Sequence, residues 1–497
     1  MAAEISYRVV VDQLRRTFLS RKTFPLNYRR QQLLQLKRLL KENEDELADA
    51  VYRDIKRPKA EAVCFEIVFT LNDVDTALEN LKEWTKPQKV KRHALQLIDD
   101  AFIMKDPLGV VAIIGPWNYP VNLMLCPLVG AIAAGNCVIL KPSEVAANTA
   151  DALSRLIPKY LDQDAFRVIT GGVNETTALL RERFDHIFYT GSPEIGKIIM
   201  AAASKYLTPV TLELGGKSPV IVDSDCDVVV AARRVAWGKY MSCGQTCLAP
   251  DYVLIHESVK GRFIEEIKKA TNEYYGNNPQ KSNDYSRIVS QRHFDRLVPL
   301  LNGAQIVFGG AHDRSDLYIE PTIFDNVKPT DKIMESEIFG PILPILTVNN
   351  LQEAIQFIND REKPLAVYIF SKNRAHVEEV LAKTSSGGVT VNDVIFHLAL
   401  DTLPFGGVGN SGMGRYHGKY TFDAFTHEKA VLYRGNALES LLWMRYPPYN
   451  ANKFKWARRI VEKHVLPSMK FFPYLSLLVI GLVVGFLISR LDEMSDL

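Results

Sequence analysis

The fold is decided by GVVAIIG at residues 109–115, CVILKP at 137–142 and HIFYTG at 186–191. Each run is apolar, rich in β-branched residues and ends at glycine or proline, which is the pattern of a strand buried on both faces. Helix-like segments lie between or after these runs, at 145–160 and 193–207. Buried strands that alternate with helices predict parallel βαβ units and a doubly wound sheet.

A second α/β set is predicted from Thr211 onward. Strand-like TLEL and PVIVD precede a predicted helix at 227–241, and strand-like YVLIH precedes another at 259–274. Residues 5–84 carry leucines near the 3.6-residue period of a helix and are predicted to be helical. The glycine-rich stretch PFGGVGNSGMG at 404–414 predicts a loop with little room for a helix or strand. The fold class is therefore α/β.

Length and composition narrow the function. At 497 residues the chain exceeds one typical hydrophobic core, so two or more subdomains are expected. The net charge of +3 is small and its lysines and arginines are spread along the chain, which argues against a nucleic-acid partner. Cys243 and Cys247 have no nearby histidine or second cysteine pair, so no metal site is predicted. The remaining cysteines are predicted to be small core residues: Cys64, Cys126, Cys137 and Cys226.

The C-terminal part carries a membrane signal. Phe471–Ser489 is an uncharged stretch of 19 residues, FFPYLSLLVIGLVVGFLIS, flanked by Lys470 and Arg490. At ~1.5 Å per residue this length just spans a hydrocarbon core of ~30 Å. Basic residues between 445 and 463 place the preceding body on the cytosolic side. We expect a single tail anchor, with the endoplasmic reticulum ahead of the mitochondrial outer membrane and the peroxisome; a buried terminal helix is the alternative.

Two glycine motifs imitate nucleotide fingerprints. The GxGxxG at 407–412 lies in a glycine-rich loop after Pro404, whereas a dinucleotide fingerprint joins a strand to a helix. GSPEIGK at 191–197 is followed by Ile198, which has no hydroxyl for magnesium, so a P-loop is excluded. Residues 191–196 nevertheless join a strand to a helix. This turn either brings the backbone close to a phosphate or is only a tight βα connection.

Two residue types in unusual positions point to chemistry. Cys247 lies in SCGQTCLAP near Gly244, although a lone cysteine in an apolar chain is usually a core residue. Glu213 interrupts the strand-like run VTLELGG, where a desolvated carboxylate has a raised pKa and suits a general base. A glutamate at a strand end that faces solvent is the alternative.

Seven motifs in a fixed order resemble signatures of the aldehyde dehydrogenase superfamily. In chain order they are PWNYP at 116–120, KPSE at 141–144, the YTGS turn around Gly191, VTLELGGKSP with Glu213, GQTC with Cys247, EIFGP at 337–341 and PFGG at 404–407. The resemblance covers about residues 5 to 445. The short N-terminus and the C-terminal extension resemble the class 3 branch, and the anchored tail resembles its members that act on fatty aldehydes.

The resemblance implies a catalytic role for three residues. Cys247 adds to the aldehyde carbonyl to give a thiohemiacetal, which loses hydride to become a thioester. The side-chain amide of Asn118 and the backbone N–H of Cys247 hold the developing oxyanion. Glu213 then activates water to release the carboxylic acid. An acylating enzyme that passes the acyl group to coenzyme A would not need Glu213, and an inactive membrane scaffold would not need any of the three.

The resemblance also implies NAD, with NADP possible, as the cofactor, and a homodimer as the assembly. Lys141 and Glu144 would contact the adenosine ribose, and Glu337 and Phe339 would position the nicotinamide ribose and ring. The pyrophosphate turn is assigned to three residues: Gly191, Ser192 and Gly196. The glycine loop at 404–414 would line the floor of the active site.

The implied domain organisation has a Rossmann-like NAD(P)-binding domain, an α/β catalytic domain, a small bridging and oligomerisation element and a C-terminal transmembrane helix. The boundaries are 1–86 and 107–210 for the NAD(P)-binding domain, 211–415 for the catalytic domain, 87–106 and 416–444 for the bridging element, 445–470 for a basic linker and 471–489 for the span. By position, the segment 445–463 is a candidate cover for the substrate entrance.

One position departs from the family pattern. The family often has asparagine two positions before the GQ pair, and this chain has Ser242. Beside it, Cys243 is a second thiol that would trap Cys247 as a disulfide on oxidation.

Overall fold

The computed structural model describes residues 7–92, 99–303, 305–435 and 439–462. The predicted membrane span at 471–489 lies outside the described residues, as does the end of the basic linker. Among the residues that are described, no helix combines the length and the apolar composition needed to cross a membrane.

The α-helices have the following bounds: α1 Tyr7–Leu19, α2 Leu26–Glu42, α3 Glu44–Ile55, α4 Lys59–Ala62, α5 Phe69–Trp84, α6 Asn122–Ala134, α7 Ala147–Tyr160, α8 Val173–Leu179, α9 Pro193–Ser204, α10 Val228–Tyr240, α11 Glu257–Tyr275, α12 Gln291–Leu297, α13 Leu351–Asn359, α14 Arg374–Lys383, α15 Lys419–Ala424 and α16 Ala451–Val461. A π-helical turn, Val63–Val68, joins α4 to α5.

The β-strands have the following bounds: β1 Gln88–Lys89, β2 Asp100–Pro107, β3 Val110–Ile114, β4 Cys137–Lys141, β5 Phe166–Val168, β6 His186–Thr190, β7 Val210–Glu213, β8 Pro219–Val222, β9 Tyr252–His256, β10 Gln305–Phe308, β11 His312–Asp313, β12 Tyr318–Ile319, β13 Thr322–Asp325, β14 Ile342–Val348, β15 Ala366–Phe370, β16 Gly388–Val391, β17 Gly412–Met413 and β18 Thr426–Tyr433.

The predicted helices of residues 5–84 are confirmed as α1 to α5. In α2, Leu33, Leu36 and Leu40 recur at helical spacing and are fully buried. Burial of these leucines, at about 1.5–3 kcal/mol each, stabilises a helix whose surface is otherwise charged. The helical bundle thereby packs on β3 and β4 through α1 and α6.

The three deciding runs form the centre of a six-stranded sheet with the order β17-β7-β6-β3-β4-β5. Every residue of β3, β4 and β6 is buried, as the absence of polar alternation in their sequences predicts. The pairs β3–β4, β3–β6, β4–β5 and β6–β7 are parallel. Because Ile114 lies beside Lys141 and Tyr189 in the register, the carboxyl ends of these strands meet at one edge of the sheet.

A seven-stranded sheet with the order β10-β13-β14-β9-β8-β15-β16 forms the second α/β set. Its strands are parallel except for the edge strand β10, which pairs antiparallel with β13. The prediction that this set starts at Thr211 is wrong. β7 pairs with β6 in the first sheet, with Thr211 beside Phe188, so the second set starts at β8.

The prediction that residues 404–414 leave little room for regular structure is also wrong. Gly409–Ser411 is a turn of 3₁₀-helix, and β17 pairs antiparallel with β7 so that Gly412 lies opposite Glu213. Glycine permits this pairing, because Gly412 has φ +151° and a Cβ there would lie 2.4 Å from the carbonyl oxygen of Leu212. Composition predicted a loop because this close approach depends on a distant strand.

Contacts divide the chain into two compact units. The first, Met1–Gln88 and Ile103–Lys429, holds both large sheets, and the second comprises Lys89–Phe102 and Ala430–Leu497. In the second unit, the buried side chain of Asp99 pairs with Arg434 at 2.7 Å. The proposed boundary between a cofactor domain and a catalytic domain, at 210/211, stays a prediction.

Candidate active site

A polar cleft of about 1120 Å³ opens at the carboxyl edge of the first sheet. It receives Trp117 and Asn118 from the segment after β3, Gly191 and Ser192 from the turn after β6, and Glu213 from the end of β7. The second sheet's side contributes further residues, among them Lys217, Glu337 and Phe339. The cleft is thus built where parallel strands end, as is usual for ligand sites in open α/β sheets.

A second cavity is narrow and apolar, with a volume of about 40 Å³. Its apolar and aromatic lining comprises Phe65, Tyr119, Leu123, Leu214, Met241, Leu248, Leu365, Ile395, Leu398, Phe405 and Tyr416. Glu213 and Cys247 line both this cavity and the polar cleft, together with Thr190 and Leu214. The structure therefore brings the two residues singled out in the sequence to the wall that the cavities share.

An unusual turn presents Cys247. After α10 ends at Tyr240, three consecutive residues have positive φ: Ser242 at 51°, Cys243 at 57° and Gly244 at 70°. A Cβ at Gly244 would lie 2.3 Å from the carbonyl oxygen of Gly340, so only glycine fits there. Left-handed backbone at two non-glycine residues costs of order 1–3 kcal/mol each and is typical of functional sites.

The thiol of Cys247 is strongly perturbed. Burial, followed by the negative charges of Glu337 and Glu213, raises the pKa of Cys247 to about 12. The main-chain N–H groups of Cys247 and Leu248 act against this rise in the pKa. The thiol is therefore protonated at neutral pH, and these two N–H groups favour its ionised form.

Glu213 is buried, with 3% of its surface exposed, and neither carboxylate oxygen has a hydrogen-bond partner in the described part of the chain. Burial raises the pKa of Glu213 well above its usual range. A buried carboxyl without a donor is costly when ionised, so it holds a proton or takes one readily. This is the environment expected of a general base that must accept a proton from water.

Asn118 is 4% exposed and lines the cleft beside Cys247. Its amide nitrogen donates to the carbonyl oxygen of Gln245 at 3.1 Å, which fixes the side chain against the turn that carries Cys247. A side-chain amide has two N–H groups. One is used in this contact; the other has no partner in the part of the chain that the structure describes, so it can donate to a ligand oxygen in the cleft.

The cleft fits a dinucleotide on its own geometry. α9 begins at Pro193 with Ser192 as its N-cap, so the N-terminus of a 12-residue helix lines the cleft and suits an anion such as a diphosphate. A Cβ at Gly191 would lie 2.1 Å from the Tyr189 hydroxyl, which keeps that turn close-packed. The ring of Phe339 meets Trp117 edge to face at 5.4 Å, and both aromatic rings line the cleft.

Three predicted cofactor residues do not line the cleft: Gly196, Lys141 and Glu144. Gly196 is buried against Leu214, where a Cβ would approach the leucine to 2.9 Å, so it serves close packing. Lys141 donates to the carbonyl of Pro142 and to Glu144 at 3.1 Å, at the carboxyl end of β4. Gly191, Ser192, Glu337 and Phe339 do line it.

The group that holds the Glu337 segment in place, Asp251, is not among the site residues predicted from the sequence. Asp251 accepts from Lys217 at 2.6 Å and from the N–H of Ile338 at 3.0 Å. Burial, then the charge of Asp251, raises the pKa of Glu337 to about 8. The signal was available, since Lys217 lies inside VTLELGGKSP and Asp251 directly follows SCGQTCLAP.

The other cysteines divide as follows. Cys126, Cys137 and Cys226 are buried as predicted, whereas the prediction that Cys64 is a core residue is wrong because it lies on the exposed side of the π-helical turn. Cys243 is buried and its thiol donates to the hydroxyl of Tyr285 at 3.4 Å. It lines neither cavity. The disulfide between Cys243 and Cys247 stays a prediction, and it would require this thiol to leave its partner.

Comparison with known proteins identifies the family. The model of the aldehyde dehydrogenase family matches residues 2–431. Aldehyde dehydrogenase family 3 member A2 of Rattus norvegicus is 52% identical over 453 residues, which cover 91% of this chain and 94% of that protein. The chain belongs to the aldehyde dehydrogenase family.

Other relatives agree. The aldehyde dehydrogenase of Canis lupus familiaris named dimeric and NADP-preferring is 50% identical over 88% of this chain and 97% of its own. The substrate-bound state of Staphylococcus aureus AldH superposes with a TM-score of 0.89 at 46% identity, covering 91% of this chain and 98% of that one. An indole-3-acetaldehyde dehydrogenase complexed with NAD⁺ has a TM-score of 0.79 at 28% identity, over 86% and 89%. This aldehyde dehydrogenase is an α/β enzyme that uses NAD or NADP, as the resemblance implied.

The pKa of Cys247 predicts how its alkylation depends on pH. Because the pKa is about 12, the thiolate fraction and the rate of alkylation by iodoacetamide should rise about tenfold per pH unit from pH 7 to about 9.5, without levelling. The measurement is mass spectrometry of the labelled Cys247 peptide in a Cys64→Ser background, which removes the exposed thiol. A plateau below pH 9 would contradict the structure.

Proposed function

We propose that this aldehyde dehydrogenase oxidises medium- to long-chain aldehydes to carboxylic acids, with Cys247 as nucleophile and Glu213 as general base. The observation that carries the proposal is the wall on which both residues stand. Cys247 and Glu213 face an apolar cavity on one side and a polar cleft on the other. An aldehyde enters from the apolar side and its carbonyl carbon reaches the sulfur at the junction.

In the first step the thiol of Cys247 gives up its proton to the solvent of the polar cleft, and a carbon–sulfur bond forms between the carbonyl carbon and the sulfur. The carbonyl oxygen takes up the electron pair, and the second N–H of Asn118 and the backbone N–H of Cys247 donate to it. Donors fixed before the reaction are worth about 2.7–4 kcal/mol of transition-state stabilisation each. The bond between Asn118 and Gln245 supplies that fixation, because it joins the oxyanion donor to the nucleophile's own turn.

The cleft would hold the cofactor. Glu337 and Phe339 would contact the nicotinamide ribose and ring, Gly191 and Ser192 the diphosphate, and Lys141 and Glu144 the adenosine ribose from the edge of β4. Bound there, an oxidised nicotinamide would supply the hydride acceptor that is needed to oxidise the thiohemiacetal on Cys247 to a thioester. The aromatic contact between Phe339 and Trp117 restricts the orientation of a ring placed against them.

In the last step Glu213 takes a proton from water as the water oxygen adds to the thioester carbon. The carbon–sulfur bond breaks, the carboxylic acid leaves, and the proton returns to Cys247. The dry environment of Glu213 raises its affinity for that proton. The reaction balances as aldehyde, water and oxidised cofactor giving acid, reduced cofactor and a proton.

The lining of the narrow cavity supports an aliphatic substrate. Apart from Glu213 and the polar groups of Asn122, Thr190 and Thr246, the residues around Cys247 on this side present carbon and aromatic surface. Each methylene that leaves water contributes roughly 0.8 kcal/mol. Leu398 lies on a short 3₁₀-helix, Phe396–Ala399, that begins after Ile395 with φ +67°. A strained, one-turn element at the cavity wall suits a wall that moves to admit a longer chain.

The substrate proposal predicts a dependence on chain length. From butanal to octanal, kcat/KM should rise by up to roughly fourfold per added methylene, measured by the absorbance of reduced cofactor. Leu398→Ser places a hydroxyl on the apolar wall and should flatten that rise without changing butanal turnover by more than about threefold. No oxidation of any aldehyde would remove the proposal, and an equal kcat/KM for all lengths would remove its aliphatic part.

The base assignment predicts the behaviour of Glu213→Gln. The amide cannot accept the proton of water, so this variant should release about one reduced cofactor per site in a burst and then turn over ~10²–10⁴-fold more slowly than the wild type. Stopped-flow absorbance separates the two phases, and Cys247→Ser, which should show no burst, is the control. Normal steady-state turnover in Glu213→Gln would refute the assignment. Turnover that appears only with coenzyme A would favour an acylating enzyme.

The tail is proposed to anchor the enzyme in a membrane with the enzyme body on the cytosolic side, and the endoplasmic reticulum is the first candidate membrane. The uncharged stretch Phe471–Ser489 and the basic residues before it support this proposal. A homodimer is proposed from the relative that is named dimeric. Anchoring would bring the enzyme to aldehydes that partition into lipid.

Removal of the tail tests both the membrane anchor and the homodimer. A chain that lacks residues 465–497 should appear in the soluble fraction after carbonate extraction, oxidise octanal as the full chain does, and show twice the chain mass by light scattering. Sedimentation of the shortened chain with membranes would place the anchor elsewhere. A soluble species with the mass of one chain would remove the dimer.

A further inference from the structure

A buried arginine links the chain segment that carries Asn118 to the turn that presents Cys247. Arg57 lies between α3 and α4, and its side chain has no exposed surface. Its Nη2 atom donates to the main-chain carbonyl of Asn118 at 2.5 Å and to the hydroxyl of Ser242 at 2.5 Å. One nitrogen atom therefore contacts both segments that the proposed reaction must hold together.

The charge of Arg57 is balanced inside the fold. Glu66, in the π-helical turn Val63–Val68, is also fully buried and pairs with Nη1 of Arg57. The other oxygen of Glu66 accepts the main-chain N–H groups of Val121 at 2.7 Å and Asn122 at 3.3 Å. The ion pair thus holds the start of α6 as well, which fixes the segment that follows Asn118. A π-helical turn inside a helix is often found at functional sites.

The neighbouring residues on the two segments are joined in the same way. The guanidinium of Arg57 lies 4.1 Å above the ring of Tyr119, and the Tyr119 hydroxyl is 2.9 Å from that of Thr246. The guanidinium plane is therefore fixed by a ring on one face and by its hydrogen bonds at the edge. An arginine in this position fixes the relative positions of the groups that it contacts, in addition to supplying a positive charge.

Ser242 is the position at which this chain departs from the family pattern, and the structure gives it two partners. Its hydroxyl accepts from Arg57, and its main-chain N–H donates to the carboxylate of Glu61 at 3.2 Å. These bonds hold a left-handed residue, with φ 51°, at the start of the turn that leads to Cys247. A serine side chain is short, so the guanidinium must lie close to the turn.

We propose that Arg57 is a positioning residue for the reaction, because its Nη2 atom sets the distance between the oxyanion donor Asn118 and the Cys247 turn. The proposal rests on the proposed roles of Cys247 and Asn118. Arg57 does not line the cleft, so its effect should fall on the formation of reduced cofactor and not on cofactor binding. A shift of about 1 Å in such a pair costs on the order of 100-fold in rate.

The direct test is Arg57→Lys. Lysine keeps a positive charge beside Glu66, but its ammonium lacks the planar fork that reaches Asn118 and Ser242 together. We expect the rate of the burst of reduced cofactor to fall between about 10- and 100-fold, with the KM for NAD changed by less than about twofold. Ser242→Ala removes only the hydroxyl acceptor and should lower the burst rate in the same direction by a smaller factor.

Arg15→Lys is the matched control. Arg15 has the same donor pattern, with Nη1 bonded to the carboxylate of Asp185 at 2.8 Å and Nη2 to the carbonyl of Arg183 at 2.9 Å, and it lines neither cavity. Its replacement should lower the melting temperature without changing the burst rate. A purely structural Arg57 would behave like this control.

The outcomes separate the proposals. If the wild type forms no reduced cofactor in its first turnover, the proposed chemistry fails. If the wild type shows a burst and Arg57→Lys keeps the burst rate within about twofold of Arg15→Lys, the positioning role is overturned. Should Arg57→Lys not fold, the neutral pair Arg57→Met with Glu66→Gln removes both charges of the buried ion pair together. A wild-type burst rate in that double variant, or in Ser242→Ala, equally overturns the role.

Discussion

The side-chain carboxyl of Glu213 is held away from every hydrogen-bond donor in the described part of the chain, and the arrangement of the site depends on this constraint. Two strand pairings impose this: β7 lies between β6 and β17, so the main chain at Glu213 is fixed by Thr190 on one side and Gly412 on the other. The carboxyl group can only point into the wall between the cavities. An unpaired buried polar group lowers the stability of the folded state. The same lack of partners raises the affinity of the Glu213 carboxylate for a proton.

That constraint organises the division between the two cavities. Water that reaches Glu213 must come through the polar cleft, because the lining on the other side is largely apolar. Cys247 stands at the same wall, and its own pKa is raised in part by the charge of Glu213. Ionising one of the two therefore opposes ionising the other. Chemistry that uses them in separate steps avoids this conflict, which is consistent with addition at sulfur first and water activation second.

Much of the fold could be predicted because its decisive signals are local. Unbroken apolar runs predict the strands β3, β4 and β6. A charged residue inside such a run indicates a special role for Glu213. Long-range pairing was beyond reach, since the position of β7 beside β6 depends on register and not on composition. The same holds for Arg57, whose partners lie 61 and 185 residues away along the chain. A cysteine in an apolar or mixed stretch predicts a core residue, but Cys64 lies on the exposed side of the π-helical turn.

The GxGxxG motif at 407–412 matches the sequence of a dinucleotide fingerprint, but its glycines are needed for a different reason. In a dinucleotide fingerprint the glycines let the backbone approach a pyrophosphate. Here a Cβ at Gly407 would lie 2.1 Å from the carbonyl oxygen of Ser411, and one at Gly412 would lie 2.4 Å from that of Leu212. The backbone again makes a close approach, but to protein, and the strand that results, β17, covers the edge of the sheet beside Glu213. The motif therefore closes the main chain around Glu213, while Gly409 and its neighbour Asn410 line the cleft.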